Sequence, residues 1–321
     1  MSRYRVAANI EWTSKCNARC IMCPRDAIPY PRHMSRTTFE RILGCIQPSD
    51  VFRVVVAGYG EPTTHPEFEV FVDLVRGHPV PFDLVSNGQL LDQTRLQRLD
   101  GVFGALMISF SSVDPDVYRR VHANLDQQRV MANIQLARNV LRKTQLAISL
   151  SPLPDCLRTL DRTVGWLRSR GIDALTMSPT LYDRAGKLNT VSLASADLKA
   201  AIRRHGLHRQ DLDFIPSVSE IFAQWRANRF HCIPRNTDVL ISAQGDYMYC
   251  FNDINHGHAL GNVADTTLRE ALEMREDTDP DGAICNGCNL RGRYGPAEVT
   301  GAALGYAKLR LGRTLRRASP H

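Results

Sequence analysis

Short apolar runs alternate with segments of helical period through the first half of the chain, a pattern typical of repeated strand–helix units. The apolar runs predict strands at residues 6–12, 52–57, 82–85, 105–110, 145–150 and 174–177. The helical periods predict helices at residues 37–46, 67–75, 93–99, 130–141 and 159–170. Because parallel neighbours need a crossover between them, this order predicts an α/β fold whose parallel sheet forms a partial (β/α)6 barrel.

The loops that follow these strands contain most of the unusual residues. They read, in order, TSKCNARCIMC, GYGEP, SNG, SSVDP, SPLPDC and SPTLYDRAG. In parallel α/β folds, the loops at the carboxyl ends of the strands build the functional site. Residues 230–290 change character, with Gly, Asn, Asp and four Cys on short predicted strands and turns, and they predict a second module.

Composition and charge exclude several classes of protein. The 321 residues are 43% hydrophobic and 23% charged, which excludes collagen-like, coiled-coil and wholly disordered chains. The chain lacks an apolar run of about 20 residues and a secretory signal, so we expect a cytoplasmic protein without a membrane partner. The net charge is +7, but the Arg residues are scattered, so a nucleic-acid partner is not expected.

The nine cysteines change the picture most, because an odd count without a signal peptide argues against a disulfide framework. Cys16, Cys20 and Cys23 have the spacing CxxxCxxC. Three thiolates on one loop can bind three corners of a 4Fe-4S cluster and leave the fourth iron open. A structural zinc site is the alternative, but the nearest fourth ligands, His33 and Cys45, lack zinc-like spacing.

This motif, in the loop after the first strand, resembles that of the radical S-adenosylmethionine (radical SAM) superfamily. The segment Gly60, Glu61 and Pro62 is similar to the family's Gly-Gly-Glu segment, which hydrogen-bonds the methionine amino group of SAM. The resemblance implies that the ribose and carboxylate contacts of SAM fall at Ser86, Asn87, Ser109 and Ser151. It also implies that the reduced cluster cleaves SAM to a 5'-deoxyadenosyl radical, which abstracts hydrogen from a C–H bond.

The stretch ISFSSVDPDVYRRV resembles a common segment of the family but departs from it at two positions. The family segment has Asp at the position of Ser111 and often Arg at the position of His122. Both departures concern the part of the chain where contacts to SAM are expected.

A second set of cysteines lies in the C-terminal third, at Cys232, Cys250, Cys285 and Cys288. Four thiolates saturate a 4Fe-4S cluster. With a GxxxxC spacing before Cys250 and GNV at residues 261–263, the set resembles the twitch domain, a shortened SPASM domain, of some radical SAM enzymes. A four-cysteine zinc ribbon is the alternative. The implied domains are a radical SAM barrel at 1–210, a connector at 211–229, a twitch domain at 230–290 and a basic tail at 291–321.

Three further residues are candidate catalytic groups. Cys156 follows the fifth predicted strand, where a thiol is placed to donate a hydrogen atom to a substrate radical; the alternative is a small buried residue. Asp183 and Arg184 follow the sixth strand, where a polar contact to substrate and a simple turn are equally good interpretations.

The module order resembles the aminocyclitol and sugar dehydrogenases of antibiotic pathways. The resemblance implies a cytoplasmic oxidoreductase with two 4Fe-4S clusters, SAM, a small polar substrate (a sugar, aminocyclitol or nucleotide sugar) and an electron donor such as flavodoxin or ferredoxin. The expected reaction oxidises an alcohol to a ketone, with the auxiliary cluster as electron acceptor. Four alternatives stay open: epimerisation with Cys156 as donor, decarboxylation or C–C coupling of a nucleotide sugar, peptide maturation, and a non-catalytic metal-binding protein.

Overall fold

The computed structural model describes residues 5–177, 196–207, 238–254, 256–278, 300 and 304. Its strands are β1 Val6–Ile10, β2 Arg19–Cys20, β3 Val51–Val56, β4 Phe82–Ser86, β5 Ala105–Ser109, β6 His122–Ala123, β7 Gln145–Leu150, β8 Leu175–Met177, β9 Asp238–Ile241, β10 Asp246–Met248 and β11 Ala259–Asn262. Its helices are α1 Arg36–Cys45, α2 Phe68–Val75, α3 Gln93–Leu99, α4 Pro115–Val121, α5 Gln127–Val140, α6 Pro154–Arg158, α7 Leu160–Arg168, α8 Ala196–His205 and α9 Leu268–Asp277.

The six predicted strands are present and form one parallel array in the order β1-β3-β4-β5-β7-β8. Helices connect successive strands of the array, as parallel crossovers require. This arrangement confirms the predicted α/β class and is consistent with a partial barrel. All six strands run the same way, so their carboxyl ends share one edge, called the carboxyl edge below.

Aromatic packing anchors the carboxyl end of β1. Trp12 is fully buried, and its ring centroid lies 5.4 Å from those of both Phe39 and Phe71. Phe39 in α1 stacks on Phe71 in α2 at 4.6 Å. Because such buried aromatic pairs add about 0.5–1.5 kcal/mol each beyond the area they bury, the base of the loop after β1 is firmly fixed.

Helix α4 is one of the helices that the sequence analysis did not predict. Residues after β5 were interpreted as a loop, but α4 begins at Pro115. Its N-cap is Asp114, whose carboxylate accepts hydrogen bonds from the backbone N–H groups of Asp116 and Val117, each at 3.1 Å. The Asp-Pro pair is a helix-start signal, but the seven residues of α4 are too few to establish a period.

The strands of the C-terminal third join the same sheet. β9 lies parallel to β1, with Asn9 opposite Leu240, and β10 and β11 continue antiparallel to give nine strands in all. The described part of residues 230–290 therefore shares backbone hydrogen bonds with the barrel strands, and the boundary at residue 230 stays a prediction. In the described part of the chain, no helix combines the length and apolarity needed to cross a bilayer.

Candidate radical SAM site

The CxxxCxxC motif lies on a loop of fixed backbone at residues 13–23, called the cysteine loop. The Ser14 N–H donates to the Arg32 carbonyl at 2.9 Å, and the Arg32 N–H donates to the Ser14 hydroxyl at 2.8 Å. The Arg25 guanidinium donates to the Cys16 carbonyl at 3.0 Å. These bonds pair backbone groups of the loop itself, so they hold the loop in one conformation.

The three thiols of the motif are half-buried on this loop. The pKa of Cys16 is raised to about 11 and that of Cys20 to about 12, mainly by burial and in part by the neighbouring thiols. Among the described residues, no group of three or more His, Cys, Asp or Glu side chains is placed to bind a single metal ion. A 4Fe-4S cluster takes each thiolate on a different iron, so its ligands need not meet at one point.

The GYGEP segment packs directly on the cysteine loop. The Glu61 N–H donates to the Lys15 carbonyl at 2.9 Å. A Cβ atom at Gly60 would overlap the Thr13 carbonyl oxygen and lie 2.6 Å from the Lys15 carbonyl oxygen. Only glycine therefore permits this approach of two backbones, and the predicted contact segment lies beside the predicted cluster ligands.

The Glu61 carboxylate joins this segment to the end of β4. It is 3% exposed and accepts hydrogen bonds from the hydroxyls of Thr63 at 2.6 Å and Ser86 at 2.7 Å. It also accepts the Asn87 N–H at 2.7 Å. Burial raises the pKa of Glu61, and these hydrogen bonds oppose the rise. The side chains of Glu61 and Ser86 thus bind each other, while the backbone of the segment lines the cysteine loop.

We expect Glu61→Gln to lower the free energy of unfolding by about 2–3 kcal/mol, because it places an NH2 group against buried donors that need an acceptor. Chemical denaturation of the apoprotein measures the change. The control is Glu40→Gln, which alters an exposed ion pair with Arg36 and should cost less than about 0.5 kcal/mol. Equal effects of the two variants would contradict the role assigned to Glu61.

Asn87 connects the SNG turn to the cysteine loop. Its amide nitrogen donates to Asn17 Oδ1 at 2.7 Å. The turn itself is fixed by Gly88, which has φ +80° and donates its N–H to the Ser86 hydroxyl at 3.0 Å. Asn17 Nδ2 is buried without a hydrogen-bond partner among the described residues. A buried, unpaired donor in the cysteine loop fits a site that takes up a further polar group.

The remaining predicted SAM contacts lie farther along the carboxyl edge. Ser109 ends β5 and lies opposite Ser149 of β7. Ser151 follows β7, and its N–H donates to the Ser111 hydroxyl at 3.2 Å. Ser109 and Ser151 are both half-buried. They share the edge with Glu61, but neither side chain hydrogen-bonds the cysteine loop in the part of the chain that the structure describes, so their contact with SAM stays a prediction.

The two positions that depart from the family segment contact each other. His122 Nε2 lies 2.9 Å from the Ser111 hydroxyl, and His122 Nδ1 lies 3.4 Å from Cys20 Sγ. The short β2–β6 pair brings His122 opposite Cys20. Burial lowers the pKa of His122 to about 4, so the imidazole is neutral at neutral pH. The sequence showed both departures but not their contact, because α4 lies between them in the chain.

Cys156 lies in α6 and is buried. It is 1% exposed and packs with Val117, Val121 and Leu153. Burial raises its pKa to about 12, and a hydrogen bond with Ser111 opposes the rise. This environment agrees with the buried alternative for Cys156, and its role as hydrogen donor is untested.

The motifs of the predicted auxiliary site meet in the β9–β11 hairpins. The Val263 N–H donates to the Gly245 carbonyl at 2.9 Å, which joins the GNV segment to the GxxxxC segment. Gly245 has φ +90°. Cys250 is half-buried after β10, and its sulfur accepts the Asn252 N–H at 3.4 Å. The other predicted site residues of the C-terminal half lie outside the described residues: Asp183, Arg184, Cys232, Cys285 and Cys288.

Glu11 is a site residue that the sequence analysis missed. It is 2% exposed at the end of β1, and its carboxylate accepts the N–H groups of Tyr59 at 2.7 Å and Ala243 at 3.4 Å. Burial raises the pKa of Glu11. It ties the GYGEP segment to the β9–β10 turn. The sequence feature that could have identified Glu11 is a carboxylate directly after an apolar strand, next to Trp12.

Comparison with known proteins supports this assignment of the loops. Residues 10–154 match the radical SAM superfamily. The chain is 32% identical over 108 residues to an S-adenosylmethionine-dependent nucleotide dehydratase of Thermoplasmatales archaeon (strain ISO4-H5), covering 34% of this chain and 38% of the relative. It is 31% identical over 141 residues to a GTP 3',8-cyclase of Microcystis aeruginosa, covering 41% and 43%. The match thus spans about two fifths of these relatives.

Solved structures share the fold over most of the chain. BtrN, in complex with AdoMet and 2-DOIA, aligns with a TM-score of 0.51 at 16% identity, over 90% of this chain and 94% of BtrN. SuiB of Streptococcus suis, bound to the precursor peptide SuiA, aligns with a TM-score of 0.66 at 13% identity, over 90% of this chain and 70% of SuiB.

The superfamily implies a 4Fe-4S cluster and SAM, and the residues present fit both. Three thiols share one loop of fixed backbone, Gly60 admits the GYGEP segment to that loop, and Asn17 offers a buried donor without a partner among the described residues. The family match at residues 10–154 begins at the end of β1 and includes all of these groups. The chain therefore contains a radical SAM domain at residues 10–154.

Proposed function

We propose that this chain is a radical SAM enzyme that holds a 4Fe-4S cluster on Cys16, Cys20 and Cys23. The observation that carries the proposal is the convergence of three loops at the carboxyl edge. The cysteine loop contacts the GYGEP segment through Lys15, at 2.9 Å, and the SNG turn through Asn17, at 2.7 Å. A structural cluster alone would not require these two additional loops.

When bound, the reduced cluster and SAM supply a radical that abstracts hydrogen from an unactivated C–H bond. The protein's own groups provide binding and positioning. Gly60 lets the GYGEP backbone reach the cysteine loop, where the methionine end of SAM is expected to bind. Asn17 and Asn87 fix the neighbouring turn by their mutual hydrogen bond. Ser109 and Ser151 offer hydroxyl groups for the ribose farther along the edge.

The finer proposal is oxidation of an alcohol to a ketone in a small polar substrate of secondary metabolism, such as antibiotic biosynthesis. The electron acceptor is an auxiliary 4Fe-4S cluster on Cys232, Cys250, Cys285 and Cys288. The contact between the GNV and GxxxxC segments supports a common site for these motifs. The fold likeness to BtrN covers nearly the whole of both chains. The burial of Cys156 favours oxidation over an epimerisation that needs its thiol at the substrate.

A second candidate is radical chemistry on a nucleotide. It is favoured by the two relatives that share about a third of their aligned residues with this chain, a nucleotide dehydratase and a GTP cyclase. In both candidates a flavodoxin or ferredoxin supplies the first electron. A panel of aminocyclitols, sugars and nucleotides deuterated at candidate carbons separates the two, because the deuterium appears in 5'-deoxyadenosine only with the true substrate.

We expect Cys285→Ala/Cys288→Ala to remove about four iron atoms per chain, since a saturated cluster cannot persist on two of its four thiolates. The variant should still cleave SAM under dithionite but should lose alcohol oxidation. Iron analysis and product assay measure both effects. Cys45→Ala is the matched control, because Cys45 lies in α1 outside both motifs. Full alcohol oxidation by the double variant would overturn the acceptor role, and zinc in place of iron would favour the zinc ribbon.

A further inference from the structure

A chain of buried polar groups runs from the cysteine loop into the protein. It begins at Cys20 Sγ, passes through both ring nitrogens of His122 and ends at the Ser111 hydroxyl, with steps of 3.4 and 2.9 Å. His122 and Ser111 are 2% and 1% exposed. Buried polar groups with fixed partners have little freedom to exchange those partners for water.

The direction of each bond follows once Cys20 binds iron. A thiolate accepts hydrogen bonds and cannot donate them, so His122 Nδ1 must carry the proton that faces Cys20 Sγ. The other ring nitrogen, Nε2, is then an acceptor and receives a hydrogen bond from the Ser111 hydroxyl. The Ser111 oxygen in turn accepts the Ser151 N–H at 3.2 Å. The thiolate therefore requires the tautomer in which His122 donates to the sulfur, and Ser111 provides the hydrogen bond that this tautomer accepts at Nε2.

The orientation of the imidazole ring is also fixed. Tyr118 packs against it with the ring centroids 4.9 Å apart. The β2–β6 pair sets His122 directly opposite Cys20. These contacts come from α4 and the cysteine loop, so the donor remains aimed at Cys20 without any rearrangement of the loop.

We propose that His122 is a positioning residue that donates a hydrogen bond from Nδ1 to the Cys20 thiolate while its Nε2 accepts one from Ser111, and thereby raises the reduction potential of the SAM-binding cluster. Hydrogen bonds to ligand sulfurs are one of the means by which proteins set cluster potentials. The donor stabilises the extra negative charge when the cluster accepts one electron from an external reductant. This inference rests on the proposed cluster site, and it explains what Ser111 and His122 do in place of the Asp and Arg of the family segment.

The test is a redox titration of the reconstituted full-length protein, followed by electron paramagnetic resonance. The SAM-binding cluster is recognised because addition of SAM changes its spectrum, whereas a saturated auxiliary cluster has no open iron. We expect His122→Leu to make one-electron reduction about tenfold less favourable, which is about 59 mV for one electron. His122→Asn keeps an N–H near the position of Nδ1 and should retain most of the wild-type potential. Ser111→Ala should lower the potential less than His122→Leu does.

His78→Leu is the matched control, because the His78 imidazole bonds the backbone of Leu43 and Val80, and His78 precedes β4, at the edge opposite the carboxyl edge. Its potential should equal that of the wild type. An iron-loaded His122→Leu protein with an unchanged potential would overturn the inference. If His122→Leu fails to load iron, the Ser111→Ala titration decides the question by the same criterion. A wild-type protein without iron at the cysteine loop would instead defeat the proposed function itself.

Discussion

Gly60→Ala should abolish cluster assembly and lower the free energy of unfolding by about 3 kcal/mol or more. The added methyl group would overlap the Thr13 carbonyl oxygen and lie 2.6 Å from that of Lys15, and both are backbone atoms that cannot rotate away. Overpacking against a fixed backbone forces the elements apart. These elements are the GYGEP segment and the cysteine loop, so the substitution should displace the three cluster ligands. Denaturation of the apoprotein and iron content after reconstitution measure the two effects.

Gly44→Ala is the matched control for this experiment. Gly44 lies in α1, and a Cβ atom there would meet nothing within 4 Å. Alanine is favoured over glycine in a helix by about 0.5–1 kcal/mol, so this variant should be as stable as the wild type or slightly more stable. Iron loading should not change. If Gly60→Ala assembled its cluster as well as Gly44→Ala does, the close approach of the two loops would not matter to the site.

The triple variant Cys16→Ala/Cys20→Ala/Cys23→Ala should lose about four iron atoms per chain and all dithionite-dependent cleavage of SAM. The physical reason is that these three thiols are the cluster ligands of the motif, and alanine provides no sulfur to bind iron. Because burial holds the pKa values of Cys16 and Cys20 high, the thiols are protonated before iron binds. Assembly should therefore release protons and become faster as the pH rises.

Cys45→Ala controls for the loss of a thiol as such and should retain both iron and cleavage. The two variants can be compared by iron and sulfide analysis and by quantification of 5'-deoxyadenosine. Undiminished cleavage by the triple variant would mean that the open-iron cluster lies elsewhere in the chain.

The parallel sheet was predictable from sequence because buried parallel strands are short apolar runs separated by helical periods. Each of the six predicted strands occurs within two residues of its predicted start. The addition of β9 beside β1 was not predictable, because more than 220 residues separate the paired strands. The hydrophobic pattern identifies strands, but their neighbours across such a distance are decided by tertiary packing.

The candidate site likewise contains residues that the sequence could predict and contacts that it could not. Spacing within one loop identified Cys16, Cys20 and Cys23, and short motifs identified Gly60 and Asn87. Contacts between distant loops could not be inferred from spacing. The bonds of His122 to Ser111 and Cys20 depend on how α4 packs. The bond of Glu11 to Ala243 depends on how β9 packs. Such residues look unremarkable in sequence, because a single buried His or Glu is equally compatible with a structural role.

The most direct test of the central claim is SAM cleavage by the wild-type protein after anaerobic reconstitution with iron and sulfide. Dithionite-reduced protein is incubated with SAM, and methionine and 5'-deoxyadenosine are quantified against an unreduced sample. The account predicts reduction-dependent formation of both products by a protein that carries about eight iron atoms, four at the cysteine loop and four at the auxiliary site. Iron-loaded, reduced protein that forms no 5'-deoxyadenosine would contradict it.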